Sequence, residues 1–457
     1  MDSVLTIISW QRSISPMDGE KIINEVMGGG LRALNRLAES PLVERFGLEE
    51  RTQALVYEGA KRVAETAAKA AKRLSPTPSR GAPRSSRKFD LSLTEEQQLM
   101  RDTVRRFADE VMQAAARDGD DRGAPPDGFM ETFAELGAVQ MAVPETLGGA
   151  AESVSAVSQM LVAEDLARGD IGLAYAALSP LSFVNALVLW GDDEQRAKLL
   201  PLLVDGDVTE ASIAVAEPHP LFDPSAPRTS AKKSASGYVL DGEKFAVALA
   251  RTARWFLVAA NLHKVGPRLF LVETGAPGLS VDEEPTMGLR SAGLGRLKLS
   301  SVKLGPEALL GGEEALKKVG TVAYRDAVDR ARVGWGAMAV GGSQAVLDYV
   351  IPYCNEREAF GEPISHRQAV AFMIADIGIE LESMRMLVYR AAGRIDAGLG
   401  CQREAYLART LCAEKSMEIG TNGVQLLGGA GFIKDHPIEL WYRHLRAIGV
   451  MDGNLLV

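Results

Sequence analysis

Two stretches of this chain carry residues suited to gripping a phosphate-bearing ligand. Arg357, followed by Phe360 and Gln368, offers a forked cation, an aromatic face and an amide. Gln425, followed by Gly428 and Gly429, offers a second amide and a backbone that a ligand can approach closely. A pyrophosphate carries two negative charges and calls for a cation plus free N–H groups, and these residue types supply both. The same residues also read as a surface ion pair and a helix end. A carboxylate, Asp452, stands before Gly453 and Asn454, where Asp is common as a turn residue. Asp329 and Arg332 form a further charged pair at helical spacing.

The elements that must position these residues follow from periodicity. Thr94-Glu95-Glu96-Gln97 matches a capping box and opens a helix on which Leu99, Met100, Thr103, Val104, Phe107 and Val111 recur at helical spacing. Helix-rich sequence continues to about 208, broken by Pro144 and Gly148-Gly149. From 211 the runs shorten. Gly237–Gly242, Trp255–Ala260, Leu269–Val272 and Leu297–Leu299 lie between Gly- and Pro-rich turns and read as a small antiparallel β domain. Helices return from about 313. Val370, Met373, Ile374, Ile377, Leu381, Met384 and Leu387 form an apolar stripe on one of them. The blocks imply an α+β chain, mainly α, with segregated layers. The expected divisions are 1–88, 89–210, 211–312 and 313–457. Within the first, 1–74 reads as helical, and the Pro-, Ser- and Arg-rich stretch 75–88 reads as a linker. This extension reads equally as a docking arm or oligomer contact and as a poorly ordered appendage.

Composition narrows the class. With 457 residues the chain exceeds one core, and its net charge of -9 argues against a nucleic-acid surface. Three cysteines without a C-x-x-C pair, and five scattered histidines, argue against a disulfide framework and a metal site. A reducing, cytoplasmic setting is expected. The apolar start, Ser3–Trp10, lacks a basic leader and is not read as a signal peptide. No apolar run is expected to reach the roughly 18 residues that cross a bilayer.

In order along residues 89–457, the motifs resemble those of the acyl-CoA dehydrogenases. Leu93–Gln97 resembles the family's first helix start, and Val143-Pro144-Glu145 with Gly148-Gly149 resembles its P-E-x-x-G-G loop. Ala216-Glu217-Pro218 is similar to T-E-P, and Asp241-Gly242-Glu243-Lys244 to N-G-x-K. Arg357–Gly361 with Gln368 resembles R-x-x-F-G…Q, and Gln425–Phe432 resembles Q-x-x-G-G-x-G-aromatic. The resemblance implies a helical domain, a middle β domain and a C-terminal helical bundle. It also implies FAD, with Arg357, Phe360, Gln368, Gln425, Gly428 and Gly429 reaching its adenine and pyrophosphate half across a subunit interface. A homodimer or homotetramer follows from that. Asp329, Arg332 and Gly453 are the implied contacts to an acyl-CoA thioester, although Arg332 reads equally as a helix-surface ion pair. An electron-transfer flavoprotein or similar acceptor is the implied redox partner.

The departures cluster around the flavin ring. Where the family has the threonine of T-E-P, this chain has Ala216, and the following G-S-D is replaced within Pro220–Asp223. The W-I/V-S/T triplet that holds the isoalloxazine reads Ala246-Val247-Ala248, and the hydroxyl residue of R-x-T/S-F-G is Ala359. After Tyr442-Arg443-His444, the E-G-T/S that carries the family's base reads Asp452-Gly453-Asn454, one methylene shorter, and the sequence stops at Val457 where the family continues. The alternative base position, beside the helix arginine, is Ala331. Asp452 is thus the candidate base for removing the α proton of a thioester. Two other readings stay open: a binding protein that keeps the fold without the reaction, and a flavin oxidase or monooxygenase of the same superfamily.

Overall fold

Thr94 opens the first helix as its sequence requires. Its hydroxyl accepts from the Gln97 N–H, and the Gln97 side chain accepts from the Thr94 N–H, both at 3.1 Å. This computed structural model describes residues 92–206, 210–313, 316 and 322–457. The sequence readings for 1–74 and 75–88 lie outside the described residues. Residues 91–457 form one compact unit.

Helix α1 (Glu95–Phe107) runs through a π turn, Ala108–Met112, into α2 (Gln113–Arg122). Val104 and Phe107 are buried as the spacing requires, but Leu99 faces solvent. A short α3 (Phe129–Ala134) leads to the break at Pro144 and Gly148. Helices α4 (Ala156–Gly169), α5 (Ile171–Trp190) and α6 (Asp193–Val204) complete this layer. The expectation of no long apolar run is corrected by α5: its 20 residues carry no charge and are long and apolar enough to cross a bilayer. Here that helix lies within the protein core, with Ile171 to Leu187 buried. It is apolar all round because it has neighbours all round.

The middle domain contains β1 (Ala211–Ala214), β2 (Ser230–Ser234), β3 (Gly237–Val247), β4 (Trp255–Leu262), β5 (Gly266–Glu273), β6 (Leu279–Glu283) and β7 (Gly295–Leu304). The pairings β2–β3, β3–β7, β4–β5 and β6–β7 are antiparallel, as expected. Both β1 and β2 add parallel pairings to β4, so the sheet is mixed. Periodicity cannot reveal that, because it reports faces and not strand order.

Helix α7 (Val322–Glu356) is the axis of the C-terminal layer and packs against α4, α8 (Gln368–Asp396), α9 (Gln402–Leu427) and α10 (Ile438–Ile448). The stripe on α8 is where the sequence placed it: Ile377, Leu381 and Met384 are buried, with Val370, Met373, Ile374 and Leu387 partly buried around them. A two-residue hairpin joins α7 to α8, with β8 (Glu358–Ala359) paired to β9 (Glu362–Pro363). Phe360 and Gly361 at its tip both have positive φ, as a type I′ turn demands.

Candidate active site

The strand ends that the resemblance assigns to a flavin ring are held by a buried ion pair. Lys244, on β3, is fully buried and donates to Glu217 Oε1 at 2.8 Å and to the Val215 carbonyl at 3.0 Å. Glu217, just beyond β1, also accepts from the N–H groups of Arg228 and Thr229. Burial opposes the Glu217 carboxylate, but the Lys244 ammonium and Thr229 outweigh it and bring its pKa down to about 2. Burial pulls Lys244 down to about 8 against the attraction of Glu217. The second residue of Ala216-Glu217-Pro218 and the last of Asp241–Lys244 are therefore one structural unit. It ties the end of β1 to β3 and presents Val215, Ala216, Phe245 and Ala246 side by side.

Those four residues are engaged by Asn454. Its Oδ1 accepts from the N–H of Val215 and, at 3.0 Å, from that of Ala216. Its Nδ2 donates to the carbonyls of Phe245 at 3.1 Å and Ala246 at 3.2 Å. The Tyr175 hydroxyl, from α5, donates to the same Ala246 carbonyl at 2.9 Å. Asn454 has no exposed surface and sits at φ +63°, a left-handed conformation that asparagine tolerates better than most residues. The residues around it are also anchored. Trp335 Nε1 donates to the Gly453 carbonyl at 2.7 Å. Leu456 donates its N–H to Ser182 Oγ at 2.8 Å and accepts from Asn185 Nδ2 at 3.2 Å. Arg330 donates to the Val457 main-chain oxygen at 2.9 Å, and Leu455, Leu456 and Val457 are buried. As the segment 453–457 stands, this seat does not fit an isoalloxazine ring. Sequence reasoning missed Trp335, Ser182 and Asn185, and met Asn454 only as a departure from the family's motif. The one available signal was Ser182 and Asn185, which with Ser179 are small polar side chains within the uncharged α5.

Asp452, Asp329, Arg332 and Gly453, all picked out from sequence, come together beside this seat. Arg332 Nε lies 3.6 Å from Asp452 Oδ1, and Arg332 Nη1 lies 3.7 Å from Asp329 Oδ1. The Tyr406 ring stacks on the Arg332 guanidinium at 5.7 Å. Among the described residues, Asp452 Oδ1, Arg332 Nε and Arg409 Nε are buried with no hydrogen-bond partner. Burial raises the Asp329 carboxyl to about 6 despite Arg332 beside it. Gly453, at φ +81°, packs on Val215 so closely that a Cβ would come within 2.6 Å of that side chain. The carboxylate of Asp452 thus stands one residue from the seat.

The other six predicted residues form a separate, exposed group. Arg357, Phe360 and Gln368 lie where α7 passes through the hairpin into α8, and Gln425, Gly428 and Gly429 lie at the end of α9. Tyr353, near the end of α7, donates to the Leu427 carbonyl at 3.5 Å, so the two helix ends adjoin. Phe360 is 95% exposed, with the Arg367 guanidinium 5.8 Å from its ring. Gly428 has φ +57° and ψ -132°, and no atom lies within 4 Å of where a Cβ would sit on it or on Gly429. This open, glycine-lined edge, with Arg357 exposed on it and Arg367 paired with Glu362 at 3.0 Å, fits the phosphates and adenine of FAD. It does not adjoin the seat of its own chain. Arg332 and Glu356 are 24 residues apart on α7, or about 36 Å along a helix.

The chain matches the N-terminal, middle and C-terminal domains of the acyl-CoA dehydrogenases over residues 94–207, 212–302 and 319–455. An acyl-CoA dehydrogenase of Bacillus subtilis (strain 168) is 30% identical over 370 residues, which cover 79% of this chain and 96% of that protein. Butyryl-CoA dehydrogenase from Megasphaera elsdenii superposes with a TM-score of 0.72 at 27% identity, covering 80% of this chain and 96% of that one. A glutaryl-CoA dehydrogenase from Mycobacterium smegmatis, in complex with FADH2, gives a TM-score of 0.70 at 25% identity over 79% of this chain and 92% of that one. With a helical domain before a β domain and a helical layer after it, and with these matches over all three, the chain belongs to the acyl-CoA dehydrogenase family of FAD-dependent oxidoreductases acting on CH–CH bonds.

Proposed function

We propose that this protein carries out α,β-dehydrogenation of an acyl-CoA thioester with Asp452 as the base. The observation that carries the proposal is the buried Oδ1 of Asp452 beside the ring seat, which has Arg332 as its ion-pair partner at 3.6 Å and accepts no hydrogen bond. A carboxylate can take a proton without placing a positive charge there. Arg332 holds it in place, and Asp329 and Arg332 stand ready for the thioester's polar arm. FAD, when bound, supplies the acceptor for the hydride that leaves the β carbon. Relatives named as dehydrogenases favour this reading over a binding protein or an oxygen-using enzyme.

The distance along α7 supports assembly. One FAD cannot reach both the Asp452 end and the Arg357 end of a single chain, so the edge formed by Arg357, Phe360, Gln368, Gln425, Gly428 and Gly429 serves the seat of a second copy. A homodimer or homotetramer follows. An electron-transfer flavoprotein is the proposed acceptor. Three buried, unpaired cysteines support a reducing, cytoplasmic setting.

Asp452→Asn tests the proposal, since it keeps the side chain's size and removes the base. FAD should remain bound, and reduction of the flavin by a straight-chain acyl-CoA should slow by about 10²- to 10⁴-fold, as loss of a general base usually does. Reduction at the wild-type rate would take Asp452 out of the mechanism.

A further inference from the structure

We propose that residues 453–457 are a built-in cover over the isoalloxazine seat, and that the cover leaves when flavin enters. The proposal rests on the reading that this chain binds FAD, and it concerns the regulation of that same site.

The chemistry of the seat supports it. Val215 and Ala216 present two N–H donors, and Phe245 and Ala246 present two carbonyl acceptors. The pyrimidine edge of a flavin alternates carbonyl, N–H and carbonyl, and so complements such a set. A carboxamide carries the same two functions in miniature. Asn454 uses its oxygen on both donors and its nitrogen on both acceptors, leaving none of the four for a ring. Ala216, Ala246 and Ala248, where larger side chains belong in the resemblance, are all buried and leave room for the segment.

The cover is also latched. Gly453 is held by Trp335 from α7, Leu456 by Ser182 and Asn185 from α5, and Val457 by Arg330. The side chains of Leu455 and Val457 join one apolar cluster and that of Leu456 joins the other, so the segment bridges both halves of the core. When it leaves, Ser182 and Asn185, both buried, lose their partners across the seat. Their polar groups then line the space that opens.

A covered seat lowers apparent affinity by the fraction of molecules that are open. The test titrates the full chain, freed of flavin, with FAD. Flavin fluorescence reports binding, and amide hydrogen exchange follows residues 453–457. Asn454→Gly removes the amide and keeps a residue that adopts positive φ freely. Trp335→Phe keeps a ring and removes the Gly453 latch, and it serves if the first variant folds poorly. Expected are FAD binding tighter by about ten-fold or more in either variant, and faster exchange at Leu455, Leu456 and Val457 in the wild type once FAD saturates it. Equal affinities overturn the cover, and so does FAD saturation with the segment still protected. In both cases the FAD reading survives. Absence of FAD binding in wild type and variants alike overturns the FAD reading, and the cover falls with it.

Discussion

Single carboxylates show how one residue type takes several roles in this protein. Glu217 is ionised and structural, fixed by Lys244 and two N–H groups. Removing Lys244 would leave a buried charge without its partner, a change that commonly costs about 3–5 kcal/mol. Asp170 is also structural: it caps α5 through the Leu173 N–H and accepts from Ser291 and His444. His444 Nδ1 accepts from the Leu289 N–H, so the other ring nitrogen carries the proton toward Asp170. The histidine of Tyr442-Arg443-His444 is thus a packing residue. Asp329 differs, because burial outweighs Arg332 and lifts its pKa to about 6, above its usual value of 3.8. A raised carboxyl contributes stability that is complete below its unfolded pKa and lost as pH rises through the folded value. Asp329→Asn should therefore melt about 1 °C above the wild type at pH 8 for each kcal/mol relieved, and close to it at pH 4. Melting curves at the two pH values check this. A variant less stable at pH 8 would mean that the Arg332 pair, and not desolvation, governs the site.

At the scale of elements, α8 presents two faces. Its inner stripe meets α7 and α9, while Phe372 and Ile379 are each 63% exposed and Met386 is 37% exposed. These three are seven residues apart, one stripe along the outer face. In the proposed assembly a second copy supplies the Arg357 edge, so Phe372→Lys with Ile379→Lys should give smaller species and weaken FAD binding. Light scattering checks the first effect and FAD titration the second. A wild type that is monomeric at micromolar concentration with FAD bound would contradict the shared site. The stripe, the Thr94 capping box and the main strands were legible because each repeats a local rule: period 3.6, cap chemistry or alternation. Leu99 shows the limit, since helical spacing placed it on the stripe while its neighbours leave it in solvent. The pairing of Glu217 with Lys244, the parallel strands β1 and β4, and the place of Asn454 depend on contacts across tens to hundreds of residues. No local pattern records those. Of the site, the clustering of Asp329, Arg332, Asp452 and Gly453 was legible only through the ordered motifs.

Residues 91–457 are a unit by themselves, so deletion of 1–88 should leave a soluble protein that binds FAD. An insoluble product would show that the extension belongs to the core. With its flavin, this protein oxidises the CH–CH bond of an acyl-CoA. Anaerobic stopped-flow mixing of the FAD-loaded full chain with straight-chain acyl-CoAs tests it most directly. Expected is bleaching of the oxidised flavin band, with one enoyl-CoA formed per flavin reduced. An unbleached band across a series of acyl-CoAs, with no enoyl product, would contradict dehydrogenation and return the protein to the binding or oxygen-using readings.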